Sequence, residues 1–301
     1  MTESKYLAID VGGTYIKYCI LNKNAESIDI KEISSGNGKE EDLFNSLDKI
    51  ISPNLIQIEG IAVSFPAPID VEKGVVHTVN NFDLMDNFPL KSILEEKYSK
   101  RVWIENDANC SALAEYWKGN MRDVKSGVVI TLGTGIGGGI ILDGKLYRGI
   151  KGFSGEFSSF IDDFENPFDA NDFSSIGNHR SLIGRYMKNK DNSNDIGGRE
   201  FFEKYHDNDE MAVNALKDYV KVIAGGIINI QSILDVEKFC LGGGISSQDV
   251  LIKEIKESVH NIFISRKIKA VNEPKIEKCY FENAAGCIGA LYNFLYMEKQ
   301  I

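Results

Sequence analysis

The chain has 301 residues and a formal net charge of −10, an acidic balance that argues against a nucleic-acid partner, because phosphate backbones are held by clustered Lys and Arg. Hydrophobic residues make up 43% and charged residues 26%. With no apolar run long enough to cross a bilayer and no signal-peptide start, the composition is that of a globular cytoplasmic protein with no membrane partner, large enough for one big domain or two lobes.

Residues 6–9, 16–21 and 28–33 read as three short strands, joined by Asp10-Val11-Gly12-Gly13-Thr14 and by the turn Asn22-Lys23-Asn24. A helix follows, with Leu43, Phe44, Leu47, Ile50 and Ile51 at helical spacing, ending before Pro53. Residues 58–65 form a buried strand stopped by Pro66-Ala67-Pro68. The next helix has Pro89 in its first turn and Leu90, Ile93, Leu94 and Tyr98 on one face; a strand over 101–105 and a helix over 108–117 come after it. A second glycine loop, Thr131-Leu132-Gly133-Thr134-Gly135-Ile136-Gly137-Gly138-Gly139, then lies between the apolar runs 128–130 and 140–142. Beyond an irregular stretch at 162–178 come helices over 179–188, 198–206 and 210–234, a strand at 238–241 and the turn Gly242-Gly243-Gly244. A helix over 250–262, a strand over 275–281 and a helix over 284–296 complete the chain. The pattern begins twice, each time with a glycine hairpin, and predicts two α/β lobes of related build, although no repeat beyond the glycine turns is detectable.

Each glycine loop is flanked by strands, so each reads as a hairpin turn and not as the strand-to-helix turn of a P-loop or a dinucleotide fingerprint. Glycines there let backbone N–H groups approach an anion, and the threonine in each loop strengthens the case for nucleotide phosphates. Between the loops stands Glu105-Asn106-Asp107. Asp107 sits where a strand ends and a helix begins, the edge at which α/β sheets bind ligands. It could serve as an N-cap, but its place between two phosphate loops suits a general base that takes a hydroxyl proton during phosphoryl transfer. Asp10 is suited to hold Mg²⁺ directly or through water, or could be a turn-forming Asp before glycine. Lys17 could reach a phosphate or could be a solvated strand residue. Gly242-Gly243-Gly244 would let an adenosine ring lie against backbone, or could serve only as a tight strand-to-helix turn. Cys19, Cys110, Cys240, Cys279 and Cys287 are scattered without a Cys-x-x-Cys pair and read as buried thiols.

Taken as a set, residues 7–14, Glu105-Asn106-Asp107-Ala108-Asn109, residues 131–139, Gly155-Glu156 and residues 241–244 resemble the ROK family of sugar kinases. The resemblance implies an actin-like (ribonuclease H-like) two-lobed ATPase fold, with a small lobe of residues 1–108 plus 284–301, a large lobe of residues 109–283 and a sugar in the cleft. It implies that Asp107 is the base, that Asn106, Asp107 and Glu156 bind the sugar, and that Asp10, Gly12, Gly13, Thr14, Lys17, Gly133, Thr134, Gly135, Gly137, Gly138, Gly243 and Gly244 serve ATP and Mg²⁺. A homodimer is suggested by the same likeness.

Family members that bind zinc follow the Gly-Glu pair with Ile-Gly-His and a cysteine cluster. Here the stretch is Gly155-Glu156-Phe157-Ser158-Ser159, and no cysteine lies between Cys110 and Cys240, so no zinc site is expected. The closer likeness, carried by residues 107–110, 155–157, 86–88 and Lys91-Ser92, is to bacterial β-glucoside kinases. It implies phosphorylation of the 6-hydroxyl of glucose in β-glucosides such as cellobiose; a glucokinase, an N-acetylhexosamine kinase and a sugar-sensing ROK protein are the alternatives. The sensor reading is disfavoured by the acidic charge and by a first strand that begins near Tyr6, which leaves no room for an N-terminal helix-turn-helix. The acidic stretch 162–173, with Phe164, Phe168 and Phe173, reads as a solvated loop whose aromatic residues anchor packing or stack on an aglycone.

Overall fold

The computed structural model describes residues 4–26, 28–77, 82–188, 196–269 and 271–301. Its elements in chain order are β1 (Lys5–Val11), β2 (Tyr15–Asn22), β3 (Lys31–Ser34), α1 (Glu40–Ile51), β4 (Gly60–Phe65), β5 (Ile69–Asp70), β6 (Val75–Val76), α2 (Leu90–Tyr98), β7 (Arg101–Asn106) and α3 (Asp107–Trp117). There follow β8 (Gly127–Leu132), β9 (Ile136–Leu142), β10 (Lys145–Leu146), α4 (Phe173–Gly177), α5 (His179–Met187), α6 (Gly198–His206), α7 (Glu210–Leu234), β11 (Lys238–Gly242), α8 (Asp249–Ser265), β12 (Lys275–Lys278) and α9 (Ala285–Met297).

Two five-stranded sheets share one plan. The first has the order β3-β2-β1-β4-β7 and the second β10-β9-β8-β11-β12. In each, a glycine hairpin makes the antiparallel pair, β1 with β2 and β8 with β9. Two strands then add in parallel, β4 and β7 in the first sheet, β11 and β12 in the second. Parallel strands need both faces covered, which is why all six residues of β4 are buried.

The two-residue period of each central strand sends its side chains into different cores. From β1, Leu7 and Ile9 pack with Leu43, Leu47 and Leu94 of α1 and α2, while Tyr6 and Ala8 pack with Ile288, Leu291 and Phe294 of α9. From β8, Val128 and Ile130 meet Ile227 of α7 and Leu251 of α8, whereas Val129 meets Ala112 and Leu113 of α3. The layers therefore run from α1 and α2 through the first sheet, α9 and α3 and the second sheet to α7 and α8. Helix α3 continues directly from the first sheet yet packs on the second, and α9 comes from the second yet packs on the first. The contact between them is close enough that a Cβ on Gly289 of α9 would collide with the Cys110 carbonyl of α3.

Several expectations shift. The third strand covers 31–34 instead of 28–33, and β12 stops at Lys278, because the next free N–H groups, of Tyr280 and Phe281, turn to the buried Glu115 carboxylate on α3. Pro89 is the N-cap of α2 and not its first residue. Asn106, not Asp107, caps α3: its side chain accepts the Asn109 N–H. The short elements β5, β6, β10 and α4 carry no periodic signal and were not foreseen. All five cysteines are buried and free. Among the described residues no helix is long and apolar enough to cross a membrane.

Candidate active site

The parallel strands of the first sheet deliver Asp10, Ser64 and Asn106 to one edge, and α3 begins there with Asp107. Ser64 Oγ donates to Asp10 Oδ1 at 2.6 Å. The Asp10 carboxylate lies so close to the start of α9 that a Cβ on Gly286 would strike it, so the positive end of that helix faces it. Burial raises the Asp10 pKa, opposed by the Ser64 hydrogen bond and by Lys17, its antiparallel partner on β2.

Because Asn106 takes the capping role, Asp107 is left at the first helical position with its carboxyl toward the cleft. Asp107 Oδ1 accepts the Ala108 N–H at 2.8 Å and an Asn106 Nδ2 hydrogen at 3.0 Å. The residue is exposed to solvent in the cleft, yet protein encloses it more widely. That enclosure, then Asp10, and more weakly Glu156, push its pKa up to about 6 against the pull of the Ala108 N–H. It is thus mostly ionised at neutral pH and a better proton acceptor than an ordinary aspartate.

Asp10, Gly12, Lys17, Asp107, Gly243 and Gly244 line one cavity of about 440 Å³. Thr131, from the strand that enters the second glycine loop, also lines it, as do Ser111, Ser246, Ser247, Glu282, Asn283 and Gly286, which the sequence did not single out because they come from three separate segments. Lys17 is no free strand lysine: its Nζ donates to Asn283 Oδ1 at 3.0 Å. Three carboxylates and one lysine would repel a bare polyphosphate, so the lining suits a phosphate chain that brings a divalent cation with it. Asp10, the carboxylate nearest the first glycine loop, suits Mg²⁺, which takes few protein carboxylates and keeps several waters; among the described residues no group of three or more His, Cys, Asp or Glu could hold a metal ion by itself.

Gly244 and Ser247 also border a second cavity of about 530 Å³, walled by Gly133, Thr134, His179, Arg199, Phe202 and Gln248. The Gly133 carbonyl accepts from both the His179 backbone N–H (3.1 Å) and Nδ1 (2.9 Å), which fixes the ring tautomer and pins the hairpin tip to α5. His179, Arg199 and Phe202 carry no recognisable motif and were missed.

The glycines divide by location. Gly13, Thr14, Thr134 and Gly135 are exposed at the two hairpin tips, while Gly12 and Gly133 spend their N–H groups closing the turns on the Tyr15 and Gly135 carbonyls. Gly137 and Gly138 lie inside β9, beyond the turn. A Cβ on Gly138 would enter the Phe157 ring, and one on Gly137 would come within 2.7 Å of Thr131 Oγ1. Their smallness lets the segment after Glu156 and the start of α3 sit on the sheet. Gly243, at φ +93°, abuts the Leu132 carbonyl; Gly244 has open space where a Cβ would be. Glu156 is exposed at the start of the turn Phe157–Ser159, with Ser158 Oγ donating to Oε2 at 3.3 Å.

In place of a cysteine cluster, Phe157, Phe160 and Phe173 pack in sequence, Phe157 tilted against Phe160 at 5.5 Å and Phe160 stacked on Phe173 at 6.3 Å. Phe173 fills the gap left by Gly226 on α7, whereas Phe164 and Phe168 are exposed. The Phe160 carbonyl accepts the Phe173 N–H at 2.6 Å and closes the loop between them.

Two sheets of one strand order, with a carboxylate-floored cleft at the strand ends, define the actin-like ATPase fold. The chain belongs to the ROK family, whose model matches residues 6–296. It is similar to a β-glucoside kinase of Listeria monocytogenes, 31% identical over 98% of this chain and 99% of that one. A glucokinase of Halalkalibacterium halodurans is 29% identical over 85% of this chain and 86% of its own length. A solved ROK family protein from Streptococcus pneumoniae, in complex with sucrose, aligns with a TM-score of 0.87 at 29% identity, over 99% of this chain and 100% of the other.

Proposed function

We propose that this chain is an ATP-dependent sugar kinase that phosphorylates the 6-hydroxyl of glucose, with β-glucosides such as cellobiose as preferred substrates. The observation that carries the reading is Asp107: a carboxylate at the end of a parallel sheet, tuned toward pH 6 and set in the wall of a cavity made by two glycine turns and Asp10. Asp107 receives the hydroxyl proton late, as the oxygen bonds to phosphorus, since an alcohol is far less acidic than a carboxylic acid. Lys17, the hairpin tips and the start of α9 hold the phosphates, and the second cavity takes the adenosine. Bound Mg²⁺ would neutralise phosphate charge, with Asp10 holding it directly or through water.

Asn106 and Glu156 bind sugar hydroxyls in this reading, although the Asn106 amide already donates to Asp107 and to the Ala67 carbonyl. That leaves its oxygen, shared with the Asn109 N–H, as the group that meets the sugar. The preference for glycosides rests on the small Ser158 and Ser159 where zinc-binding relatives carry a histidine, and on the likeness to the Listeria enzyme. Losing hydrogen bonds to a free anomeric hydroxyl costs about 1 to 3 kcal/mol for glucose, which an aglycone can recover by stacking. The deciding experiment compares kcat/KM for glucose, N-acetylmannosamine, methyl β-glucoside and cellobiose with ATP. Cellobiose should be the best of the four; a clear preference for a free monosaccharide sinks the β-glucoside assignment and leaves the kinase standing.

A further inference from the structure

Glu105, one residue before Asn106, is 1% exposed, and a carboxylate so deeply placed needs a partner. The partner arrives from the far side of the cleft. Arg148, in the segment that follows β10, donates Nε to Glu105 Oε2 at 2.7 Å and Nη2 to Asn293 Oδ1 on α9 at 3.0 Å. The other carboxylate oxygen of Glu105 accepts the Asn106 N–H at 2.9 Å and an Asn109 Nδ2 hydrogen at 3.0 Å. Asn106 passes the chain on, for its side chain caps the Asn109 N–H and donates to Asp107 Oδ1, each at 3.0 Å. Hydrogen bonds thus run without a break from a guanidinium on the second sheet's side to the carboxylate of Asp107. At its own backbone, Arg148 accepts the Ser154 N–H at 3.2 Å, which closes the loop leading into Gly155 and Glu156.

We infer that Arg148 is a positioning residue: through Glu105 and Asn106 it sets the orientation of the Asp107 carboxylate and ties it to the segment that presents Glu156. The inference rests on the kinase reading above. The neutral groups in the network cannot replace the guanidinium, because the other donors to Glu105, the Asn106 N–H and the Asn109 amide, carry no charge. A Lys could pair with Glu105 but could not reach Asn293 at the same time with the fixed fork of an Arg.

The test measures kcat and both KM values for Arg148→Met, Arg148→Lys and the double variant Glu105→Gln with Arg148→Met, with sugar affinity measured separately in an Asp107→Asn background by calorimetry. Arg148→Met should lose about 100-fold in kcat, the scale expected when a reacting group is misplaced by about 1 Å. The KM for ATP should stay within about 3-fold, since the nucleotide side of the cleft is untouched. Arg148→Lys should recover part of the loss, and so should the double variant, which removes the stranded charge but not the misorientation. Sugar affinity in the Asp107→Asn background should change far less than kcat. A kcat loss that merely tracks the folded fraction, or equals the loss of sugar affinity, overturns the inference. If Arg148→Met does not fold, the double variant decides: wild-type kcat there overturns the inference as well. A wild-type chain that phosphorylates no sugar overturns the kinase reading itself and this inference with it, whereas an active wild type with unaltered variants overturns the inference alone.

Discussion

In the proposed role, Asp107 must combine two properties that pull against each other, ionisation at working pH and enough basicity to take a proton from an alcohol. Protein around it and the charges of Asp10 and Glu156 strike the balance by raising its pKa to about 6. We expect kcat/KM to fall about tenfold per pH unit below pH 6, where the carboxyl is protonated. Glu156→Gln removes one of the negative neighbours, so the acid limb should move to lower pH; an unmoved limb would mean that the limb belongs to another group. Asp107→Asn should leave less than about a tenth of wild-type kcat while sugar affinity stays within a few fold, because the amide keeps the size of the side chain but cannot accept the proton. The same variant carries a stability signature. The folded-state pKa lies above the unfolded value, so the ionised carboxylate penalises the folded state, fully above pH 6 and not at all below about pH 4. Asp107→Asn should therefore melt about 2 °C higher than wild type at pH 8, a modest gain because cleft water screens the charge, and no higher at pH 4.

Among the elements, α3 is the most constrained, since it is wedged between α9 and β9. On one side Gly289 touches the Cys110 carbonyl; on the other a Cβ at Gly139 would come within 2.6 Å of Ala112 and 2.7 Å of the Ala108 carbonyl. Gly289→Ala should cost about 1 to 3 kcal/mol by overpacking and, because α3 carries Asp107, should lower kcat as well; chemical denaturation and kinetics check both. These contacts explain which parts of the fold were legible in the sequence. Both hairpins could be read, because a glycine turn between two apolar runs is a local signal. The run of Gly137, Gly138 and Gly139 looked like more of the same loop, and its role in letting α3 and Phe157 approach β9 depends on residues that the sequence places elsewhere. Asn106 and Asp107 were both plausible caps, and only the backbone of α3 separates them. Arg148 lies 43 residues from Glu105, beyond any periodic pattern. The loop between Phe157 and Phe173 is an element of another kind, closed by a chain of packed aromatic rings where the zinc-binding pattern has cysteines. Elemental analysis of the purified chain should find no stoichiometric zinc, and EDTA should inhibit only until Mg²⁺ is restored; about one tightly held zinc per chain would contradict this.

At the scale of the whole molecule, the proposed sugar contacts belong to different halves. Asn106 and Asp107 stand at the end of the first sheet, while Glu156 follows β10 of the second. The chain passes between the halves at the start of α3 and between β12 and α9, and Glu115, in the last turn of α3, holds the second passage by accepting the Tyr280 and Phe281 N–H groups. We propose that the two sheets, each with its outer helices, move as lobes about these crossings. If closure adds contacts from the second side to a hexose held by the first, sugar binding favours the closed arrangement by that difference in contacts. X-ray scattering should then show a smaller radius of gyration with saturating substrate, starting from about 19 Å for a compact chain of this length. Glu156→Gln should blunt the change, because it weakens the contact from the second side, and Glu115→Ala should broaden the distribution without sugar, because it frees the passage from β12 to α9. An unchanged radius in wild type at a sugar concentration that saturates turnover would show that the cleft is preformed and that Glu156 is already within reach.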